Sequence, residues 1–323
     1  MNSILKSNIK NLFLKPRTNS FFSRNEITEG RNSKIFLCAY KQEKFIVKFY
    51  KNNFRLKREK LFYKFLKINN IKFTPKLLSS DLKNKLIIYS YIKGKKVNKI
   101  SNNDLDKLIS FIRNLNLVKL KNLPLAIDGI KNRKNHLSLC QKKINDLKSI
   151  NNEKFSNKVL IKFLDKTLFP RFEFIKKNLM EKKFHKYLKI IEKKYLIVSP
   201  SDVGFHNILK YKNDLYFYDF EYAGLDDPIK LICDFISQPD QQLSTSQKNK
   251  FINNKLFHKY NIKDINFLVK LFLPLHQIKW CCIMLNDFKF IKKNKTYLTL
   301  AKRIYLKKQI DKTIKYYYKH FKK

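Results

Sequence analysis

Three side chains in one stretch of this chain could do chemistry together: Asp202, Asn207 and Asp219. They stand in Ser199-Pro200-Ser201-Asp202-Val203-Gly204-Phe205-His206-Asn207 and in Tyr218-Asp219-Phe220-Glu221. A carboxylate, an amide five residues later and a second carboxylate closing the next apolar run suit metal-assisted phosphoryl transfer. One carboxylate orients the attacking hydroxyl; the amide oxygen and the other carboxylate hold Mg²⁺ against the phosphates of ATP. A tight loop between two strands would bring all three to one point. Asp and Asn at this spacing are common in loops, but the full string, with Asp227-Pro228 after it, is far more specific. His206, inside the loop, is read as a structural hydrogen-bonding residue.

The segments PSDVGFHN and YFYDFEY, followed by DDP, resemble the aminoglycoside phosphotransferase and choline kinase superfamily, small-molecule kinases with a protein-kinase-like fold. Within it the chain looks most like a bacterial subgroup marked by Ser-Pro-Ser-Asp-x-Gly-Phe-His-Asn. It departs from the wider family where Pro200-Ser201 replaces the usual His-Gly, while Glu221 keeps a carboxylate two residues after Asp219. The resemblance implies an α+β, two-lobed fold with a small β-rich N-terminal lobe and a mostly helical C-terminal lobe. It implies ATP and Mg²⁺ as cofactors, Asp202 as the hydroxyl-orienting base, and Asn207 and Asp219 as metal ligands. It also implies that Lys48 holds the α- and β-phosphates, positioned by an ion pair with Glu59. Gly30, Asn32 and Ser33 would form the loop over the phosphates. The hinge, Ile88 to Ile92, would meet the adenine edge, and Tyr89 and Tyr91 lie in it.

The elements that must position these groups are legible in part. Lys34 to Tyr40 and Lys44 to Tyr50 alternate and are rich in β-formers, so they predict a hairpin carrying Lys48. Leu61, Phe62, Phe65 and Leu66 have helical spacing, which places Glu59 on the following helix. Further strands are expected at Lys76–Leu78, Leu86–Ile92, Tyr195–Val198, Ile208–Tyr211 and Leu215–Asp219, with helix elsewhere after Ile100. Only five glycines occur, at 30, 94, 129, 204 and 224, so each should sit where a larger residue fails or φ is positive. Three regions are expected: a basic extension (1–25), a nucleotide-binding lobe (26–94) and a catalytic, substrate-binding lobe (95–323).

Lys and Arg number 71 against 25 Asp and Glu, a net charge of +46. Such a balance suits an anionic partner. It also suits AT-rich coding, which enriches Lys, Asn, Ile, Phe and Tyr alike, and the positive residues run through the whole chain. No obligate nucleic-acid partner is therefore expected. The five cysteines form no C-x-x-C pair and no metal spacing, which fits core packing and a cytoplasmic protein. The most apolar stretch, Leu271 to Leu285, is interrupted by His276, Gln277 and Lys279, so no transmembrane segment is expected. The acid-free first twenty-five residues resemble a targeting segment only in charge.

Taken together, the expected activity is transfer of the ATP γ-phosphate to a hydroxyl of a small molecule. After Asp240 the acids are Asp264, Asp287 and Asp311, too few for a pocket that binds polycations. That favours a sugar or related metabolite over an aminoglycoside. A non-catalytic protein that binds nucleic acid or an anionic surface is the competing reading, supported by the Lys- and Tyr-rich Lys302 to Lys323.

Overall fold

A computed structural model describes residues 22–29, 32–40, 42–118, 122–148, 158–257, 262–290 and 299–322. The chain divides into two compact units. One runs to Ile127 and takes in Val198–Leu225; the other comprises Asp128–Ile197 and Asp226–Lys323.

The first unit is built on an antiparallel five-stranded sheet, in the order β1 (Phe22–Glu29), β2 (Ser33–Tyr40), β3 (Glu43–Tyr50), β5 (Leu86–Ser90), β4 (Leu77–Asp81). The expected hairpin is β2–β3, whose register sets Ile35 opposite Lys48. Alternation along β3 sends Phe45, Val47 and Phe49 to one face, where they pack with Cys38, Leu86 and Ile88. Ile46, Lys48 and Tyr50 go to the other. Helix α1 (Asn53–Ile68) covers that face, capped by the Asn52 side chain, and it buries Leu56, Glu59, Phe62, Tyr63, Phe65 and Leu66. Strand β1 has no clear alternation in sequence; pairing with β2 through a bulge at Glu26–Thr28 makes it a strand.

A smaller sheet, β6 (Lys95–Lys96), β8 (Ile208–Tyr211) and β9 (Asp214–Phe217), carries the chemistry-bearing loops. Helix α2 (Asn102–Leu117), started by a Ser101–Asp104 capping box, packs on it through stacked Phe111 and Phe217 rings 4.1 Å apart. Two short strands, β7 (Ile197–Ser199) and β10 (Gly224–Asp226), pair with each other. Gly224 is required for space: a Cβ there would lie 2.5 Å from the Pro124 carbonyl oxygen and 2.6 Å from the Ala126 nitrogen. No described glycine has positive φ, so Gly94 and Gly224 answer crowding, not backbone handedness.

The second unit is helical: α3 (Lys134–Lys148), α4 (Lys158–Phe163), α5 (Phe169–Leu179), α6 (Pro228–Ser237), α7 (Thr245–Ile252), α8 (Ile262–Met284) and α9 (Leu300–Phe321). The Asp227-Pro228 pair starts α6 as its spacing predicts, with Asp227 capping the Ile229 amide. All ten residues of α6 are buried, so its apolar composition is that of a core helix. Helices α3, α5, α6 and α9 all pack against α8. By length and composition Asp264–Met284 is long and apolar enough to cross a membrane, although 56% of that window is buried inside the protein. Asp264, Asn266, Lys270, His276, Gln277 and Lys279 interrupt the apolar character of this helix. All five cysteines are buried free thiols, Cys281 and Cys282 among them.

Candidate active site

Lys48 is only 3% exposed, and its Nζ donates to Glu59 Oε2 at 2.8 Å and to Asp219 Oδ1 at 2.6 Å. Glu221 Oε2 lies 3.4 Å away. The pairing of Lys48 with Glu59 that the resemblance implied is therefore present as a buried contact. Burial works against the ammonium charge, but Asp219, Glu59 and Glu221 outweigh it and hold the Lys48 pKa well above its ordinary value. Burial raises the Glu59 pKa, opposed by Lys48 and reinforced by Asp219.

Several residues of this cluster were missed in sequence. The Tyr50 hydroxyl donates to Glu59 Oε2 and meets the Tyr89 hydroxyl at 3.1 Å. Tyr50 is two residues from Lys48, so strand periodicity alone could have placed it on the same face. Arg55 Nη1 donates to Glu221 Oε1 at 3.3 Å, and its guanidinium lies 4.1 Å from the centre of the Tyr222 ring. Arg55 stands one helical turn before Glu59, a spacing that puts both on one side of α1. Arg58 donates to the carbonyls of Leu125 and Ala223, tying α1 to the segment after Asp219.

Asp202 and Asn207 lie on the short loop between β7 and β8. Asn207 Nδ2 donates to the Asp202 carbonyl at 3.1 Å, and the Asn207 carbonyl accepts from the Tyr218 amide at 3.2 Å. Because a carbonyl only accepts, the nitrogen end of the Asn207 amide must face Asp202, which turns Oδ1 the other way. His206 is exposed and sits 3.2 Å from Asp202 Oδ2, in contact with the carboxylate itself. Backbone strain brackets the site: Ser201 has φ 67° and Asp219 φ 66°, a left-handed region that costs non-glycine residues energy, Asp less than most.

A cavity of about 490 Å³ is lined by Lys48, Glu59, His206, Asn207 and Asp219 together with apolar Ile35, Leu37, Ile46, Ile92 and Leu209; Asp202 is not among its lining residues. Tyr89 and Tyr91 line it too. Tyr89 is buried against Tyr63, ring centres 5.0 Å apart, with its hydroxyl turned to Tyr50. The remaining positions behave differently. Asn32 Nδ2 donates to Glu221 Oε1 at 2.7 Å and to the Tyr222 hydroxyl at 3.2 Å, and Ser33 is buried at the start of β2. Neither lines the cavity, and Gly30 lies outside the described residues.

Glu59, Asp219 and Glu221 each offer a carboxylate oxygen within 4.8 Å of the others. Lys48 and Arg55 supply two positive charges against these three negative ones, which leaves room for a cation. Glu221 Oε2 is buried without a hydrogen-bond partner, and the Asp219 side chain is 31% exposed while Glu59 and Glu221 are nearly covered. The donor set is all oxygen, as Mg²⁺ requires. Asp219, with the Asn207 oxygen, is the pair that could hold the ion.

In the second unit, Asp234 takes contacts from His276, Lys279 and Lys230. Its carboxylate is thus committed inside the helical core.

No protein-family model matches the sequence, and no curated protein matches it. Solved structures do. APH(2'')-IIa in complex with gentamicin aligns at TM-score 0.61 and 16% identity, over 97% of this chain and 96% of that one. The fold is that of the aminoglycoside phosphotransferases and choline kinases. The spectinomycin phosphotransferase APH(9)-Ia, in complex with ADP and spectinomycin, aligns at TM-score 0.60 and 13% identity over 96% and 98%. Choline kinase from Cryptosporidium parvum Iowa II aligns at 0.57 and 13% over 97% and 95%. The kinase-like fold therefore covers both compact units.

Proposed function

We propose that this chain is an ATP- and Mg²⁺-dependent phosphotransferase that moves the γ-phosphate to a hydroxyl of a small molecule, a sugar or related metabolite. The observation that carries this reading is Lys48, buried, held by Glu59 and Asp219 and lining a cavity with mostly apolar walls. Lys48 has three donors, so it can keep Glu59 and give another to a phosphate oxygen. The apolar walls suit a purine, with backbone groups at Ser90 to Ile92 for its polar edge. Bound Mg²⁺, held by Asn207 and Asp219, would neutralise phosphate charge. Asp202 accepts the hydroxyl proton or orients that hydroxyl for in-line attack. His206, in contact with Asp202, steadies the carboxylate. The scarcity of acids after Asp240 supports a neutral or anionic acceptor, and buried free thiols support a cytoplasmic setting.

The test is calorimetric titration of ATP with and without Mg²⁺, on wild type and Asp219→Ala, followed by a phosphorylation screen that starts with sugars. Mg²⁺-dependent binding that disappears in the variant is expected. Binding indifferent to both Mg²⁺ and Asp219 would refute the assignment, and kanamycin phosphorylation at low micromolar KM would replace the sugar by an aminoglycoside. In the screen, Asp202→Asn should keep ATP affinity while lowering turnover by about 10²–10⁴-fold.

A further inference from the structure

A second concave surface of the first unit has a different character. Lys93, Lys95, Lys96, Lys99, Lys210 and Lys212 line a groove of about 430 Å³ along the edge where β6 meets β8. Lys and Arg make up 71 of 323 residues in the chain, yet six of the nine residues lining this groove are lysines and none is acidic. Compositional drift towards lysine does not explain that concentration.

Strand register adds an independent observation. Lys95 pairs directly with Lys210 across the β6–β8 ladder, and like charges opposite one another destabilise a strand pair. Strand β6 is two residues long, so little else holds it. Asp104 relieves part of the repulsion by accepting from Lys210 Nζ at 2.8 and 3.0 Å. Lys212 lies over the Tyr211 ring at 5.8 Å. Among the described residues no other carboxylate is seen to meet the six ammonium groups. A bound polyanion would offset the repulsion that the fold retains here.

We propose that this groove is a binding site for a short oligophosphate, a ligand of three or more linked phosphate groups. Ammonium groups are point charges that suit phosphate oxygens from any direction; the forked donors of arginine, which favour planar carboxylates, are absent from the lining. A single-stranded nucleic acid would want stacking platforms along a longer track, and the lining offers one aromatic ring, Tyr211. The groove is read from its own lining, and only the test rests on the proposed nucleotide site: absence of ADP binding would fail that reading, whereas loss of tripolyphosphate selectivity would fail this one. Lys96 lines the nucleotide cavity as well, so it is left unaltered in the test.

The test titrates sodium tripolyphosphate into the protein already saturated with ADP, at a fixed free Mg²⁺ concentration throughout. The comparison variant is Lys95→Gln/Lys99→Gln/Lys212→Gln, all exposed positions outside the nucleotide cavity. Wild type is expected to bind one tripolyphosphate with ADP still in place, at least tenfold tighter than orthophosphate. The triple variant is expected to lose at least tenfold in affinity while its ADP affinity is unchanged. Raising salt from about 0.05 to about 0.2 M should weaken the wild-type complex by about a hundredfold, as several engaged cations require. Equal affinity in the triple variant would overturn the proposal. So would stoichiometric displacement of ADP by tripolyphosphate, which would put the anion in the nucleotide cavity. A single-stranded RNA dodecamer that competes more than a hundredfold better than tripolyphosphate would overturn the oligophosphate assignment.

Discussion

Replacing Lys48 by Met keeps the length of the side chain and removes the one cation shared by three carboxylates. In the folded protein Glu59 then keeps the Tyr50 hydroxyl and, at 3.3 Å, the Phe220 amide, while Glu221 keeps Arg55. Glu59 is 1% exposed and loses its only countercharge. Breaking a buried pair from one side costs about 3–5 kcal/mol, because the remaining charge stays out of water. Against a total stability of about 5–15 kcal/mol that loss is large but survivable. Two refinements separate charge from packing. The double variant Lys48→Met/Glu59→Leu should regain at least half of the loss, since an apolar replacement of a buried pair is often neutral. The single variant should also be relieved by acid. Burial already holds the Glu59 pKa above its ordinary 4.5, and removing Lys48 takes away the group that opposed this. A raised folded pKa means the native state binds the extra proton between the two values, so stability falls as pH rises through that window and returns as pH drops. Urea unfolding followed by circular dichroism at pH 5 and pH 8, on wild type, both singles and the double, reads all four corners. A Lys48→Met cost below about 1 kcal/mol, or strictly additive singles, would refute the view that this cluster is a buried charge-balanced unit.

Three further outcomes follow from the geometry. Gly224→Ala drives a methyl against the backbone of Pro124 and Ala126 and should cost about 3 kcal/mol, whereas Gly94→Ala meets Leu209 Cβ at 2.9 Å and should cost about 1 kcal/mol in the same melts. In the second unit burial pushes the His276 pKa down to about 3 from 6.5, against the pull of Asp234. Its folded pKa is depressed, so its stabilisation is complete above 6.5 and is lost as pH falls towards 3; at pH 5 the loss is about 2 kcal/mol. His276→Gln should flatten the stability profile between pH 7 and pH 5 relative to wild type. Hydrogen-bond counting around that ring gives another expectation. Asp234–His276–His136–Asp227 is a chain of three contacts, at 2.7, 2.9 and 3.1 Å, between two carboxylates. The Asp234 carboxylate only accepts and His276 is neutral at pH 7, so nitrogen spectra of histidine-labelled protein at neutral pH should show the His276 ring as the tautomer protonated on Nδ1.

What could be read from sequence was whatever local pattern decides. The β2–β3 hairpin follows from alternation, α1 from its apolar spacing, and α6 from Asp227-Pro228. What stayed hidden depends on partners distant in the chain. Strand β1 has no usable periodicity, and β6 and β10 are too short to have any; pairing alone defines them. Asn32, which the resemblance places in the phosphate loop, has a side-chain amide that reaches Glu221, 189 residues on, a partner that no local pattern reveals. The left-handed backbone at Ser201 and Asp219 carries no sequence signature either, since neither residue is glycine.

Acids are rare in a chain of net charge +46, and the structure gives the physical reason that an acid such as Glu59 is informative there. Among the described residues the buried carboxylates are Glu59, Asp81, Asp104, Glu221, Asp226, Asp227 and Asp234. Six of them meet a cation: Lys48, Lys210, Arg55, Lys230, Arg133 and Lys279 respectively, skipping Asp81. Asp81 accepts from the Lys83 and Asn84 amides and the Asn84 side chain. A buried carboxylate must find such partners or be neutralised. A chain under pressure towards lysine can place its cations almost anywhere on a solvated surface, but it keeps an acid in the interior only where the fold or the chemistry needs one. In such a sequence the scarce sign of charge marks the interior, and the abundant sign becomes informative only where it gathers with no counterion among the described residues, as it does between Lys93 and Lys99.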